Sequence, residues 1–190
     1  MQAILSAADD AAIPVHPVLL LTDQPTAPAI AIAKEAGLKV EVLRYRDFDS
    51  REAFGEKALE ILRHHEVDGV ALAGFMRILP ENVIEGFEGM IFNIHPSLLP
   101  AFPGLNAVRQ ALDYGVRIAG CTVHLVDQGV DTGPIVLQAA VWVQQEDDED
   151  TLAARILEWE HQIYPKALRL WAKDQLEVEG RKVWIRDDEG

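Results

Sequence analysis

Asn93 and His95 stand two residues apart in the run Met90-Ile91-Phe92-Asn93-Ile94-His95. The run reads as a buried strand, and a period of two turns both polar side chains to one face. Pro96 follows directly and ends the strand. An amide donor and an imidazole presented together at a strand end suit the stabilisation of a carbonyl oxygen that gathers negative charge. Asp131, between Gly129 and Gly133, offers a carboxylate able to orient or charge that imidazole. Pattern alone leaves plainer readings standing. A histidine beside a buried strand is often structural, and an aspartate between glycines fits a turn.

Central strands are expected over residues 18–21, 70–75 and 90–94, where near-continuous apolar runs match parallel strands covered on both faces. Residues 38–43 alternate more and belong nearer an edge. A helix over residues 29–36 is stopped by Gly37. Asp49-Ser50-Arg51-Glu52 resembles a capping box, and Phe54, Ala58, Ile61 and Leu62 follow at helical spacing. Strands alternating with helices predict a right-handed, mostly parallel central sheet flanked by helices. Residues 121–126 and 135–143 read as further strands with antiparallel pairing. A long helix from Asp150 or Thr151 carries Leu152, Ile156, Trp159, Ile163 and Ala167, with a bend expected at Pro165. Residues 176–178 and 182–185 suggest a terminal hairpin, and residues 1–8 read as a helix.

The 190 residues fit one well-buried domain, taken as residues 1–190. A net charge of −14 argues against nucleic acid or an anionic membrane as partner, because both call for a basic surface. Small-molecule substrates remain, since a few local arginines suffice to hold an anion. Cys121 is the single cysteine, so neither a disulfide framework nor a thiolate metal cluster is expected. No run approaches the ~20 apolar residues of a membrane span, and the expected address is the cytoplasm.

Met76-Arg77-Ile78-Leu79-Pro80 leaves the strand at its carboxyl end, where open α/β sheets bind ligands. A plain strand-to-helix loop with Pro80 at the first helical position is an equal reading. Glu160 lies about 40° round the long helix from Ile156 at ~100° per residue, poised between the apolar stripe and solvent. His124 sits within a strand and reads as structural or supporting. HExxH, Walker, GxGxxG and cysteine-pair motifs are absent, so no metal and no dinucleotide is indicated. Ser97 lacks a nucleophile elbow.

Several motifs occur together: Ala73-Gly74-Phe75-Met76-Arg77-Ile78-Leu79, Asn93-Ile94-His95-Pro96-Ser97-Leu98-Leu99-Pro100, Pro103-Gly104, Gly120-Cys121-Thr122-Val123-His124 and Gly129-Val130-Asp131-Thr132-Gly133-Pro134. Their order and spacing resemble the phosphoribosylglycinamide formyltransferase family. The resemblance implies a Rossmann-like formyltransferase fold and transfer of a formyl group from 10-formyltetrahydrofolate to the glycinamide amine in purine synthesis. It implies a catalytic set of Asn93, His95 and Asp131. It implies that Arg51, Met76, Arg77, Ile78, Leu79, Asn93, Asp127, Gln128, Gly129, Val130 and Asp131 hold the folate. Leu157, Glu158, Trp159 and Glu160 would contact the ribonucleotide, with Glu160 as polar anchor.

Family members open with a strand and a Ser-Gly-x-Gly-Ser-Asn-type phosphate loop. Met1-Gln2-Ala3-Ile4 corresponds to the helix after that loop, so the chain is expected to be incomplete at its front relative to the family. Three alternatives follow from the same residues. Hydrolysis of 10-formyltetrahydrofolate can use the same Asn/His/Asp set. That reading is disfavoured because such hydrolases resemble His-Ser-Phe where Pro96-Ser97-Leu98 stands here. Methionyl-tRNA formyl transfer would need a further tRNA-binding domain. The last alternative is a non-catalytic folate-binding remnant.

Overall fold

Local sequence signals and apolar periodicity set the order of elements. In a computed structural model describing residues 1–186, α1 (Gln2–Asp9) precedes β1 (Leu19–Thr22), α2 (Ala29–Glu35) and β2 (Lys39–Val42). A 3-10 turn at Tyr45–Asp47, α3 (Arg51–His64), β3 (Val70–Leu72), α4 (Glu81–Gly86) and β4 (Ile91–His95) follow. Then come α5 (Ala107–Tyr114), β5 (Ile118–Leu125), β6 (Ile135–Trp142), α6 (Glu149–Ala172) and the hairpin of β7 (Leu176–Glu179) and β8 (Lys182–Ile185).

Pairing is parallel in the first half, β1 with β2 and β3 with β4. It turns antiparallel in the second, giving a four-stranded sheet in the order β3-β4-β5-β6. Strand β1, expected to be central, has a ladder only with β2 among the described residues. The apolar run that suggested a central strand reports cover over its faces, which is independent of edge pairing. Leu19 and Leu21 of β1 and Val70 and Leu72 of β3 do lie against one cluster, built on Phe54, Ala58 and Leu62 of α3. Strand β3 is shorter than the run of residues 70–75. Gly74 takes φ +68°, a conformation open to glycine at little cost, and the chain leaves the sheet as a loop over residues 73–79.

Helix starts follow side-chain chemistry. Ser50 Oγ accepts from Ala53 N at 3.1 Å. The expected capping box is only half present, since Ala53 at the third helical position has no side chain to reach back. Asp148 and Thr151 do form the reciprocal pair at the front of α6, with Thr151 N to Asp148 Oδ1 and Asp148 N to Thr151 Oγ1 both 2.9 Å. The helix therefore starts a little earlier than expected, and it runs unbroken through Pro165.

One face of α6 buries Leu152, Ile156, Ile163, Tyr164, Ala167 and Leu168 against Cys121 and Val123 of β5 and Val136 and Val141 of β6. Each large aliphatic chain so placed stabilises by about 1.5–3 kcal/mol. Trp159, expected on that stripe, is 41% exposed; the inward place one turn after Ile156 belongs to Glu160 at i+4. The Tyr164 hydroxyl is 2.7 Å from the carbonyl of Leu72 and 2.9 Å from that of Phe92, so α6 is fastened to β3 and β4 where the sheet opens toward the polar cluster below.

Candidate active site

Strand register places the polar groups. In the antiparallel ladder of β4 and β5, Asn93 lies directly opposite His124, and His95 opposite Thr122; side chains of opposed residues share a face and touch. Asn93 Nδ2 is 3.1 Å from His124 Nε2. The other ring nitrogen, Nδ1, is 2.8 Å from the Leu125 carbonyl, which can only accept. Nδ1 therefore carries the proton, and Nε2 accepts from the Asn93 amide. Burial pushes the His124 imidazole below its ordinary range, which favours this neutral form.

His95 is turned the other way. Its Nε2 is 2.9 Å from the Phe102 carbonyl and its Nδ1 3.3 Å from Asp131 Oδ2. Both neighbours are acceptors, so the arrangement is complete with a proton on each nitrogen. Asp131 Oδ2 also accepts from Gly104 N at 2.7 Å, and Oδ1 lies 3.5 Å from His124 Nε2. One carboxylate thus faces both imidazoles. The side chains of His95 and Asp131 are 7% and 13% exposed, and water does little to screen them.

Asp131 reaches this position through a strained turn, with φ +54°. Such a conformation costs a non-glycine residue about 1–2 kcal/mol. The turn is held from within: Asp127 Oδ1 accepts from Gly129 N at 3.0 Å and from Thr132 Oγ1 at 2.6 Å. At Gly133 a side chain would run into the Leu125 carbonyl, so the close return of the loop to β5 requires glycine. The segment of residues 97–104, which brings Phe102 and Gly104 to His95 and Asp131, is fixed by Thr122. Its hydroxyl donates to the Ser97 carbonyl at 2.7 Å and accepts from Leu99 N at 3.0 Å.

A cavity of about 470 Å³, its open mouth included, lies above these groups. Leu72, Ile78, Leu79, Val126 and Val130 form its apolar part, while Arg77, Asn93, His124, Asp127 and Asp131 make the rest polar. Ile78 and Val130 stand 53% and 48% exposed, apolar surface available to a ligand. A mixed lining of this kind suits a small molecule with both apolar and polar parts.

Among the sequence candidates, Arg77, Ile78, Leu79, Asn93, Asp127, Gly129, Val130 and Asp131 line the cavity. Arg51, Met76, His95 and Gln128 are not in its wall, His95 standing behind Asp131. Arg51 donates through its guanidinium to the Leu79 carbonyl, fixing the loop from behind, and its Nε is buried without a partner. Gln128 donates to Glu81 at 2.5 Å, and Met76 is 76% exposed. Arg77 bonds Asp23 at 2.7 Å and lies over the Tyr45 ring at 4.8 Å.

Leu157, Glu158, Trp159 and Glu160 sit apart from this cavity, on α6. The first three are exposed. Glu160 is partly buried, and that burial pushes its carboxyl above the ordinary range, opposed by the Met1 α-amine. Its charge also acts on Cys121, whose thiol burial pushes up to about 12.

Sequence reasoning missed three contributors: the Phe102 carbonyl, the Gly104 amide and the acceptor role of His124. Pro103-Gly104 was visible as a motif, but a backbone contact carries no side-chain signature. His124 needed the β4–β5 register.

The chain is similar to known proteins over most of its length. The model of the Formyl transferase family matches residues 1–168. The chain is 42% identical over 151 residues to the phosphoribosylglycinamide formyltransferase of Bacillus subtilis, covering 80% of this chain and 77% of that protein. It is 42% identical over 172 residues to the Drosophila melanogaster trifunctional purine biosynthetic protein adenosine-3, spanning 90% of this chain and 13% of that much longer protein. Among solved structures, glycinamide ribonucleotide transformylase 1 from Symbiobacterium toebii superposes with a TM-score of 0.96 at 47% identity, over 98% of this chain and 88% of that one.

Proposed function

The chain belongs to the formyl transferase family, and from that premise we propose that it transfers the formyl group of 10-formyltetrahydrofolate to the amine of 5'-phosphoribosylglycinamide, a step of purine biosynthesis. The observation that carries the reading is the meeting of Asn93, His95, His124 and Asp131 beside one cavity of mixed apolar and polar lining. Relatives named for formyl transfer to glycinamide ribonucleotide support the acceptor substrate.

The amine nitrogen bonds to the formyl carbon, the carbonyl oxygen takes up the electron pair, and the bond from carbon to the folate nitrogen breaks. The amine loses a proton, and the departing nitrogen gains one. Asn93 spends one amide hydrogen on His124 and keeps the second for the oxyanion. Imidazolium at His95 supplies positive charge, held by the Asp131 carboxylate. Asp131 stands between the two imidazoles and can relay the proton from amine to leaving nitrogen, directly or through water.

The folate donor is suited by the apolar wall of Leu72, Ile78, Leu79, Val126 and Val130 and by the main-chain groups of Arg77, Ile78, Leu79, Asp127, Gly129 and Val130 around it. Met76 and Gln128 flank that wall, and Arg51 shapes it through Leu79. The ribonucleotide falls to the turn of α6 made by Leu157, Glu158, Trp159 and Glu160, where the partly buried Glu160 carboxylate suits a polyol or amine.

The test is to measure formate and formylated product from 10-formyltetrahydrofolate with and without glycinamide ribonucleotide. Formylated ribonucleotide, with little formate in its absence, is expected. Formate released at the same rate without the ribonucleotide would assign hydrolysis, and no turnover of either kind would leave a binding protein.

A further inference from the structure

None of the roles assigned above falls on the terminal hairpin, yet the hairpin reaches the loop that carries Asp131. Arg181, at the tip between β7 and β8, donates from Nη1 to the carbonyl of Thr132 at 2.8 Å. Thr132 follows Asp131 directly. The bond therefore grips the main chain one residue beyond the carboxylate that faces His95.

The loop needs such a grip. Asp131 holds φ +54°, and a strained residue persists only where its surroundings over-determine it. Ties within the loop run from Asp127 to Gly129 and Thr132. Ties from outside reach its two limbs separately. Gln128 anchors the outgoing limb to Glu81 of α4, and Arg181 anchors the returning limb to the hairpin.

The hairpin makes a firm base. Leu176 and Val183 pack on the main core. Arg186 bonds Glu177 across the two strands at 2.7 Å and 3.0 Å, and Arg186 N donates to Gln175 O at 2.9 Å. The guanidinium is thus presented from a docked element and not from a free tail.

We infer that Arg181 is a positioning residue for the reaction: through the Thr132 carbonyl it keeps Asp131 within reach of His95 and Gly104. This deepens the proposed formyl transfer and rests on it. Arg181 lines no part of the cavity, while Asp127, Gly129, Val130 and Asp131 of the loop it holds do, so its loss acts through that loop on turnover and on the folate donor, and not on the ribonucleotide.

The experiment compares wild type, Arg181→Ala and Arg181→Lys by two readouts. Steady-state kinetics are expected to show kcat lower by about three- to tenfold in Arg181→Ala, the factor set by one net hydrogen bond. KM for the ribonucleotide should stay within about twofold, and Arg181→Lys should recover most of kcat by retaining a donor. Amide hydrogen exchange supplies the second readout. The Gly104 N–H donates to Asp131 Oδ2 from a different segment, and its exchange should quicken in Arg181→Ala. Loss of hairpin stability alone would leave that amide protected.

An unchanged kcat in Arg181→Ala, or an unchanged Gly104 exchange, overturns the assignment. If wild type transfers no formyl group, the proposed function fails while the Gly104 readout still decides what Arg181 does.

Discussion

Asn93 and His124 face each other across neighbouring antiparallel strands, amide nitrogen to imidazole nitrogen at 3.1 Å. The pair shows how a strand ladder can aim a single N–H. His124 is itself fixed by the Leu125 carbonyl, so the asparagine amide cannot flip without losing its acceptor. The second amide hydrogen is left toward the cavity that Asn93 lines.

Asn93→Ala should lower kcat by roughly 10²–10³, the usual consequence of losing one oxyanion donor. Initial rates of ribonucleotide formylation at saturating substrates check it. A decrease below about threefold would remove Asn93 from the oxyanion site.

His124→Phe keeps the volume but removes the acceptor. Turnover should fall about tenfold, because one misdirected hydrogen bond is worth about 1.4 kcal/mol in the barrier. Stability carries a second signature. Burial lowers the folded-state pKa of His124 below 6.5, so the unfolded chain binds the proton first. The wild type must lose stability from this group as pH falls below about 6.5 toward the lowered value. His124→Phe lacks that dependence, and urea midpoints at pH 7.5 and pH 5.5 will separate the two.

Glu160→Gln should strengthen the fold and weaken the substrate. Burial raises the folded pKa of Glu160. Its favourable contribution is therefore present below the unfolded value of 4.5 and is lost as pH rises through the folded value. At pH 7 the glutamine variant should melt higher than wild type, and the advantage should vanish near pH 4. KM for the ribonucleotide should rise about tenfold or more, as expected for a lost charged hydrogen bond, with KM for the folate donor unmoved.

Asp147→Asn tests a link far from the chemistry. Arg155 grips Asp147 through two bonds of 2.7 Å and holds its carboxyl down to about 2. A depressed acid stabilises above its unfolded value of 3.8 and ceases to do so as pH falls toward 2. The variant should be less stable than wild type at pH 7, with the gap closing between pH 4 and pH 2. Denaturant midpoints across that range provide the check.

Much of the framework can be read along the chain. Apolar periodicity gave β4 and put Asn93 and His95 on it. Gly129 and Gly133 marked the loop, and Asp49-Ser50-Arg51-Glu52 marked a helix start that the Ser50 hydrogen bond bears out, whereas the cap of α6 falls at Asp148, ahead of the expected Asp150 or Thr151. Reading failed where a neighbour distant in sequence decides. Arg51 shows no partner in its own stretch of sequence, and its guanidinium donates to the carbonyl of Leu79, 28 residues on. Trp159 fits an apolar stripe, but it is exposed, and the inward side of α6 lies about 100° further round, at Glu160. Strand β1 has the composition of a central strand, but composition reports buried faces and not paired edges.

Residue order by itself therefore determined which elements form and which way their side chains face, because both follow from dihedral preference and from a period of 2 or 3.6. Tertiary structure alone decided that Asp131, 36 residues beyond His95, stands 3.3 Å from its imidazole. That distance depends on the β4–β5 register, on a backbone held at φ +54° and on Gly104 and Phe102 arriving from another segment. Local propensity contains none of these, because each is fixed only when separate parts of the chain exclude water together and must satisfy one another's donors and acceptors.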